Sequence, residues 1–142
     1  MAFNILIVDD SRIIRSMLER TIRLSGVPVG SLFNAGNGKE GLDILNNNWV
    51  DLVLADVNMP VMDGLAMLDR MSRDDLMDKV PVVIVSTEGS ETKIDKLWNC
   101  GIKAFIRKPF TPEQIRGVIR DVLGDWTDGE TDGDDFASSD SF

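Results

Sequence analysis

The stretch Ile5–Asp10 reads ILIVDD, an apolar and largely β-branched run that ends in two carboxylates. A solid apolar run of this kind is typical of a strand that is buried on both faces of a sheet. Residues 11–24 then carry apolar side chains at helical spacing, and Gly26 and Pro28 end the pattern. The chain is therefore expected to begin with a buried strand followed by a helix.

This alternation of strand and helix occurs five times. Further strands are expected at residues 32–33, 52–55, 82–85 and 104–107, and further helices at 39–45, 63–71, 92–99 and 112–123. Apolar strands that alternate with helices form a parallel sheet covered on both faces, with right-handed crossovers. The sequence thus predicts one doubly wound α/β domain over residues 1–124, with five parallel strands and five helices.

The remaining segment, residues 125–142, holds seven of the 24 acidic residues and none of the 15 basic ones. Its apolar content is too low for packing, so we expect a disordered acidic tail. The rest of the chain is then close to neutral, which argues against binding to nucleic acid. Because only these residues follow the last helix, we expect no attached output domain and an output that works by binding another chain.

The composition excludes several kinds of site. The 142 residues include no histidine, which excludes His-based catalysis and His metal sites. Cys100 is the only cysteine, which excludes an intramolecular disulfide and a cysteine cluster for zinc. A single cysteine suits a reducing compartment, and we expect a cytoplasmic protein. No apolar run reaches the length of a membrane span, so we expect neither a signal peptide nor membrane insertion.

Polar side chains follow four of the five strands, at the point where each strand ends. Asp9 and Asp10 follow the first strand, Asp56 the third, Ser86 the fourth and Lys108 the fifth. Because the carboxyl ends of parallel strands meet at one edge of the sheet, these side chains are expected to converge. Clustered carboxylates repel one another unless a cation joins them, and a set of oxygen donors with room for water suits Mg²⁺.

Asp56 is a candidate phosphoryl acceptor, since a carboxylate can act as a nucleophile and form an aspartyl-phosphate. Phosphoryl transfer needs positioning and charge neutralisation. Mg²⁺, the Lys108 ammonium and the Ser86 hydroxyl could supply both. The alternative is that the strand-end acids only cap helices, a role that suits Asp63 at the start of the third helix.

Four motifs stand in the order and spacing of receiver domains of two-component response regulators. They are Val8-Asp9-Asp10, Asp56-Val57-Asn58-Met59-Pro60 with Met62-Asp63-Gly64, Val85-Ser86, and Lys108-Pro109-Phe110. Over residues 3–124 the chain resembles this family, and within it the single-domain chemotaxis regulators of the CheY type. The resemblance implies a flavodoxin-like sheet with the strand order 2-1-3-4-5.

The resemblance also implies a role for each residue of the cluster. Asp56 would accept a phosphoryl group from a histidine kinase. Ser86 would bond that group, Lys108 would bridge it to the carboxylates, and the Lys108–Pro109 peptide bond would be cis. The Mg²⁺ ligands would be three carboxylates and one backbone carbonyl, from Asp9, Asp10, Asp56 and Asn58.

A second set of residues is expected to change the surface of the domain after phosphorylation. Phe105, three residues before the lysine, stands where the family often has a switch tyrosine. Its ring can swing inward behind Ser86, but it has no hydroxyl to offer a partner. The resemblance places Ile94, Trp98 and Phe105 on the surface that such domains use for output. The alternative is that these three side chains belong to the core.

Asn58 and Glu88 are the expected determinants of phosphoryl lifetime. Asn58 stands two residues after the nucleophile and Glu88 two residues after Ser86. Both side chains can hydrogen-bond a water placed in line with the phosphorus. The same pair is found in the fast-resetting chemotaxis regulators that the chain resembles. The alternative is that Glu88 points into solvent and Asn58 acts only through its backbone carbonyl.

The sequence therefore favours a signalling switch rather than an enzyme. Once phosphorylated, it would bind a partner protein, in chemotaxis a component of the flagellar switch. One alternative is a phosphorelay carrier that passes phosphate to a histidine phosphotransfer protein. The other is a Mg²⁺-dependent aspartyl phosphatase. Such enzymes usually carry a second aspartate two residues after the nucleophile, where this chain has Asn58, which cannot transfer a proton.

Overall fold

A computed structural model of the chain describes residues 2–124. The strands are β1 (Phe3–Val8), β2 (Val29–Ala35), β3 (Leu52–Ala55), β4 (Val82–Ser86) and β5 (Ala104–Arg107). The helices are α1 (Arg12–Leu24), α2 (Gly38–Asn47), α3 (Gly64–Arg73), α4 (Glu91–Asn99) and α5 (Pro112–Leu123). The five strands are parallel, in the order β2-β1-β3-β4-β5, so the predicted doubly wound fold is confirmed. The predicted tail lies outside the described residues.

The sheet separates two hydrophobic clusters, one on each face. Successive residues of a strand point to opposite faces. Leu6 accordingly packs into one cluster, together with Met67 of α3 and Leu97 of α4. Ile5 packs into the other, together with Ile115 of α5. This burial on both faces explains why residues 5–8, 52–55 and 82–85 are unbroken apolar runs.

The edge strand β2 is longer than the sequence predicted, since it extends from Val29 to Ala35 rather than over residues 32–33 alone. It pairs with β1 on one side only. Gly30, Ser31 and Asn34 are therefore exposed. A search for apolar runs misses a strand of this kind, because the faces of an edge strand are less completely covered and accept polar side chains.

The helices begin at the same edge of the sheet at which the strands end. Asp63 caps α3, since its side chain accepts a hydrogen bond from the backbone of Ala66 at 2.9 Å. A capping box opens α5, with Thr111 and Gln114 each bonding the other's backbone. Among the residues that the structure describes, no helix is both long and apolar enough to cross a membrane. The loops at this edge carry the candidate site.

Candidate functional site

Three carboxylates meet at the carboxyl ends of β1 and β3. Val8 and Ala55 lie opposite each other in the sheet, so the residues that follow them come out side by side. One carboxylate oxygen from each of Asp9, Asp10 and Asp56 lies within 4.8 Å of the other two. Asp9 is buried, Asp56 is half-buried and Asp10 is exposed. The predicted convergence of these acids is therefore present in the structure.

Lys108 joins two of these carboxylates. Its Nζ lies 2.9 Å from Oδ2 of Asp9 and 3.3 Å from Oδ2 of Asp56. Burial lowers the pKa of Lys108, but the hydrogen bond to Asp9 and the charge of Asp56 outweigh it, and the pKa is raised overall. The Lys108–Pro109 peptide bond is cis, as the resemblance implied. The ammonium therefore stays charged at neutral pH and offsets the repulsion between the acids.

Backbone groups hold the other oxygens of the same two carboxylates. Oδ1 of Asp9 accepts from the N–H of Ser11 at 2.9 Å, and Oδ1 of Asp56 accepts from the N–H of Val57 at 2.7 Å. Gly64 allows the following turn to close against this backbone, since a Cβ at that position would lie 2.7 Å from the carbonyl oxygen of Asp56. Charge-assisted bonds to backbone amides fix an anion in one orientation. The carboxylate of Asp56 is thus held in one orientation.

The donor set fits a hard divalent cation. All three side chains offer carboxylate oxygen, the ligand type that Mg²⁺ prefers, and neither a thiolate nor an imidazole lies among them. The exposed position of Asp10 opens one side of the cluster to solvent. That opening suits Mg²⁺, which keeps several of its water ligands in protein sites.

Ser86 ends β4 on the same edge and is fully buried. Its Oγ accepts from the N–H of Glu88 at 3.1 Å, and its carbonyl accepts from the N–H of Lys108 at 3.0 Å. Its hydroxyl hydrogen is free to rotate towards another acceptor. Ser86 is therefore tied both to the bridging lysine and to the loop between β4 and α4.

Asn58 and Glu88 are in contact across the mouth of the site. Asn58 Nδ2 donates to Oε1 of Glu88 at 3.3 Å, and the N–H of Ser90 donates to Oε2 at 3.0 Å. The bond from Ser90 and then the bond from Asn58 lower the pKa of Glu88 below its ordinary value. Glu88 therefore does not simply point into solvent, and the two residues form a charged, hydrogen-bonded pair.

Two further cations beside this pair were missed by the sequence analysis. Lys93 Nζ lies 3.4 Å from Oδ1 of Asn58 and 3.5 Å from Oε1 of Glu88. Arg107 donates to the carbonyl of Glu88 at 3.1 Å, and its guanidinium carbon lies 5.7 Å from the ring centre of Phe105. Lys93 reaches Asn58 and Arg107 reaches Glu88 across 35 and 19 positions of the chain through long side chains, and no spacing rule reveals such contacts.

The candidate output residues differ in exposure. Trp98 is 47% exposed, so it is a surface residue rather than a core one. Ile94 and Phe105 are half-buried. Ile94 and Trp98 are four residues apart on α4 and share one of its faces. Phe105 packs partly against the hydrophobic cluster beneath α4 and partly under the guanidinium of Arg107.

Comparison with known proteins agrees with this geometry. The family profile described as the response regulator receiver domain matches residues 5–120. A chemotaxis protein CheY homolog of Campylobacter jejuni is 31% identical over 121 residues, which cover 84% of this chain and 92% of that protein. Chemotaxis protein CheY1 of Helicobacter pylori is 30% identical over 84% of this chain and 96% of its own length. The structure of CheY4 of Vibrio cholerae has a TM-score of 0.76 at 29% identity, covering 87% of this chain and 100% of that one. The chain therefore belongs to the receiver domains of two-component response regulators.

Proposed function

We propose that this receiver domain is a phosphorylation-dependent switch in which Asp56 accepts a phosphoryl group from a histidine kinase in the presence of Mg²⁺. The observation that carries the proposal is the bridge from Lys108 to Asp9 and Asp56 within a three-carboxylate cluster. The charged Lys108 side chain lies between two fixed carboxylates, so it can form an ion pair with a phosphoryl group once that group is attached to Asp56. The residues that would hold the metal are Asp9, Asp10, Asp56 and, through its backbone carbonyl, Asn58.

The transfer forms one bond and breaks one bond. A carboxylate oxygen of Asp56 attacks the phosphorus, the new O–P bond forms, and the N–P bond of the phosphohistidine breaks, with its electron pair returning to the imidazole. Mg²⁺, when bound, neutralises charge on the phosphoryl oxygens. Lys108 supplies a second positive charge, and the hydroxyl of Ser86 donates to a third oxygen. The carboxylate is already fixed by its bond from Val57.

The experiment that tests the acceptor uses acetyl phosphate as a small donor. With Mg²⁺ the chain should gain one phosphoryl group by mass, and chelation of the metal should abolish the gain. Asp56→Asn should gain none, whereas Asp63→Asn, which changes an exposed carboxylate that caps α3, should behave as the unchanged chain. Undiminished labelling of Asp56→Asn would overturn the assignment.

Asn58 and Glu88 are proposed to place the water that removes the phosphoryl group. Their contact across the mouth of the site supports this role, since an amide and a carboxylate can both orient a water in line with the phosphorus. Asn58→Met and Glu88→Leu should each slow the loss of phosphate after the donor is removed, with Mg²⁺ kept saturating. Unchanged rates in both variants would rule out water placement.

The output is proposed to be the binding of a partner protein in the cytoplasm during chemotaxis, with no reaction on an external substrate. Two relatives of this length are named as chemotaxis proteins, and the exposed Trp98 offers an apolar contact on α4. Capture of the phosphorylated chain by a flagellar switch component would support this role. Transfer of labelled phosphate onto a histidine phosphotransfer protein would instead support a phosphorelay carrier.

A further inference from the structure

Lys93 contacts both Asn58 and Glu88, the two side chains proposed above to place the attacking water. Its ammonium lies 3.4 Å from Oδ1 of Asn58 and 3.5 Å from Oε1 of Glu88, and these two side chains also contact each other. The three side chains form a closed triangle. Glu88 is the more enclosed end of the ion pair, with its side chain 13% exposed against 45% for Lys93.

The position of Lys93 runs against the local preference of its helix. Ser90 is the N-cap of α4, so Lys93 is its third residue and lies in the first turn. The partial positive charge of a helix N-terminus disfavours a cation there. A residue that breaks a local rule is expected where function or a compensating contact requires it. The contacts with Asn58 and Glu88 provide that compensation.

A count of hydrogen-bond acceptors shows how Lys93 limits the oxygen atoms of Asn58 and Glu88 that remain available to a water molecule. The side chain of Asn58 has one acceptor atom, Oδ1, and Lys93 lies against it. Of the two oxygens of Glu88, Oε1 faces both Asn58 and Lys93, and Oε2 accepts from the N–H of Ser90. Each oxygen can accept two hydrogen bonds, so Oε1, which faces two donors, has no site left for a water, whereas Oδ1 and Oε2 keep one each. A water that attacks the phosphorus needs these same oxygens to orient its O–H bonds.

We infer that Lys93 is a positioning residue that lengthens the life of the phosphorylated state by competing with the attacking water for Asn58 and Glu88. The inference rests on the proposed role of that pair in removing the phosphoryl group. Lys93 acts through its two partners and does not touch the reacting carboxylate. An ion pair this close to solvent is weak, so its removal should speed the loss of phosphate by only about two- to five-fold.

The test follows the loss of labelled phosphate after the acetyl phosphate is removed, with Mg²⁺ saturating. Lys93→Met should lose phosphate faster than the unchanged chain, and Lys93→Arg should restore the slow rate because it keeps the charge. Lys96→Met is the matched control, since it removes an exposed lysine of the same helix and should leave the rate unchanged. Lys93→Ala repeats the neutral change with a different side chain, and melting temperatures establish that each variant folds.

Two further measurements distinguish the role of Lys93 from the proposed water-placing role of Asn58 and Glu88. In a Glu88→Leu background, Lys93→Met should have a smaller effect, because interacting residues are not additive. Higher ionic strength should reduce the difference in the rate of phosphate loss between Lys93→Met and the unchanged chain, because salt screens exposed ion pairs. Equal or slower loss in Lys93→Met, or equal acceleration by Lys96→Met, would overturn the inference. If Asn58→Met and Glu88→Leu also leave the rate unchanged, the water-placing function itself is wrong.

Discussion

Lys108 is the residue that balances the charge of the site. Its side chain is 13% exposed and that of Asp9 only 2%. Replacement by methionine would leave the acids close together with no ammonium between them, and breaking such a pair costs more than the pair contributes. We expect Lys108→Met to lower the free energy of unfolding by about 1–3 kcal/mol at pH 7 without metal. Urea titration would measure this, and Lys103→Met, at an exposed site, is the control.

The same variant should show a particular dependence on pH. Because folding raises the pKa of Lys108 above 10.5, its contribution to stability is fully present below that value and is lost as the pH rises through the folded-state pKa. The unfolding curves of the unchanged chain and of Lys108→Met should therefore converge only at strongly alkaline pH. A difference that is already lost at pH 8 would contradict the proposed bridge.

Val61 stores backbone strain in the loop between β3 and α3. Its φ is +67°, a region that is unfavourable for a β-branched residue, and its side chain is 78% exposed. Asparagine tolerates this conformation, so Val61→Asn should raise the free energy of unfolding by about 1 kcal/mol. Asp75 has a φ of +59° and is already a tolerant residue type, so Asp75→Asn should change little in the same denaturant titration. An equal effect of the two changes would exclude strain as the cause.

The residues that could be predicted from sequence are those fixed by the ends of strands. Asp9, Asp56 and Lys108 follow directly from the rule that the carboxyl ends of parallel strands meet. Lys93 and Arg107 could not be predicted, because their roles depend on how far a flexible side chain reaches across a loop. Glu88 was expected to face the site, but its bond from Ser90 emerges only from the geometry of that loop.

Among the elements, β4 and β5 with the loop to α4 form the expected route of the switch. The N–H of Glu88 bonds Oγ of Ser86, and Arg107 links the carbonyl of Glu88 to the ring of Phe105. A hydrogen bond from Ser86 to a phosphoryl oxygen would shift the loop between β4 and α4, and this shift would favour a second position of the Phe105 ring. Amide chemical shifts over residues 87–98 and 104–107 should therefore change with the phosphodonor.

Two controls make this measurement specific. Asp56→Asn should show none of these shifts with the same donor, and Arg107→Ala should weaken those of residues 104–107 because the link between loop and ring is lost. Shifts confined to the loops around Asp9, Asp56 and Lys108 would contradict a conformational switch. They would then report only the charge of the phosphoryl group.

The extent to which each element could be predicted depended on its burial. The strands β3 and β5 were predicted with the bounds that the structure has, since each is a short run between clear breaks. The helices α2 and α3 extend to Asn47 and Arg73, beyond their last apolar residues, because hydrogen bonding continues through a polar final turn. Apolar spacing finds the buried face of a helix but not its solvated end.

At the scale of the whole molecule, residues 125–142 should be dispensable for folding and for phosphorylation. The buried apolar side chains in the described part of the chain lie between Phe3 and Ile119. A chain that ends at Gly124 should therefore keep its melting temperature and take phosphate normally. A chain that ends at Thr111 should not fold, because it loses the fully buried Ile115 and Ile119. A large fall in the melting temperature of the first chain would show that the tail packs.

The lysine bridge also bears on how the domain is made. Lys108 bonds partners that stand 99 and 52 positions earlier in the chain. As the polypeptide leaves the ribosome, Asp9 and Asp56 emerge long before Lys108, the cation that balances their charge. The strand β4 remains an unpaired edge of the sheet until β5 has emerged. The lysine-bridged carboxylate cluster is thus among the last parts to be completed during synthesis. If Asp56 acts as proposed, a half-made chain would lack the complete acceptor site and would take no phosphate before the domain is finished.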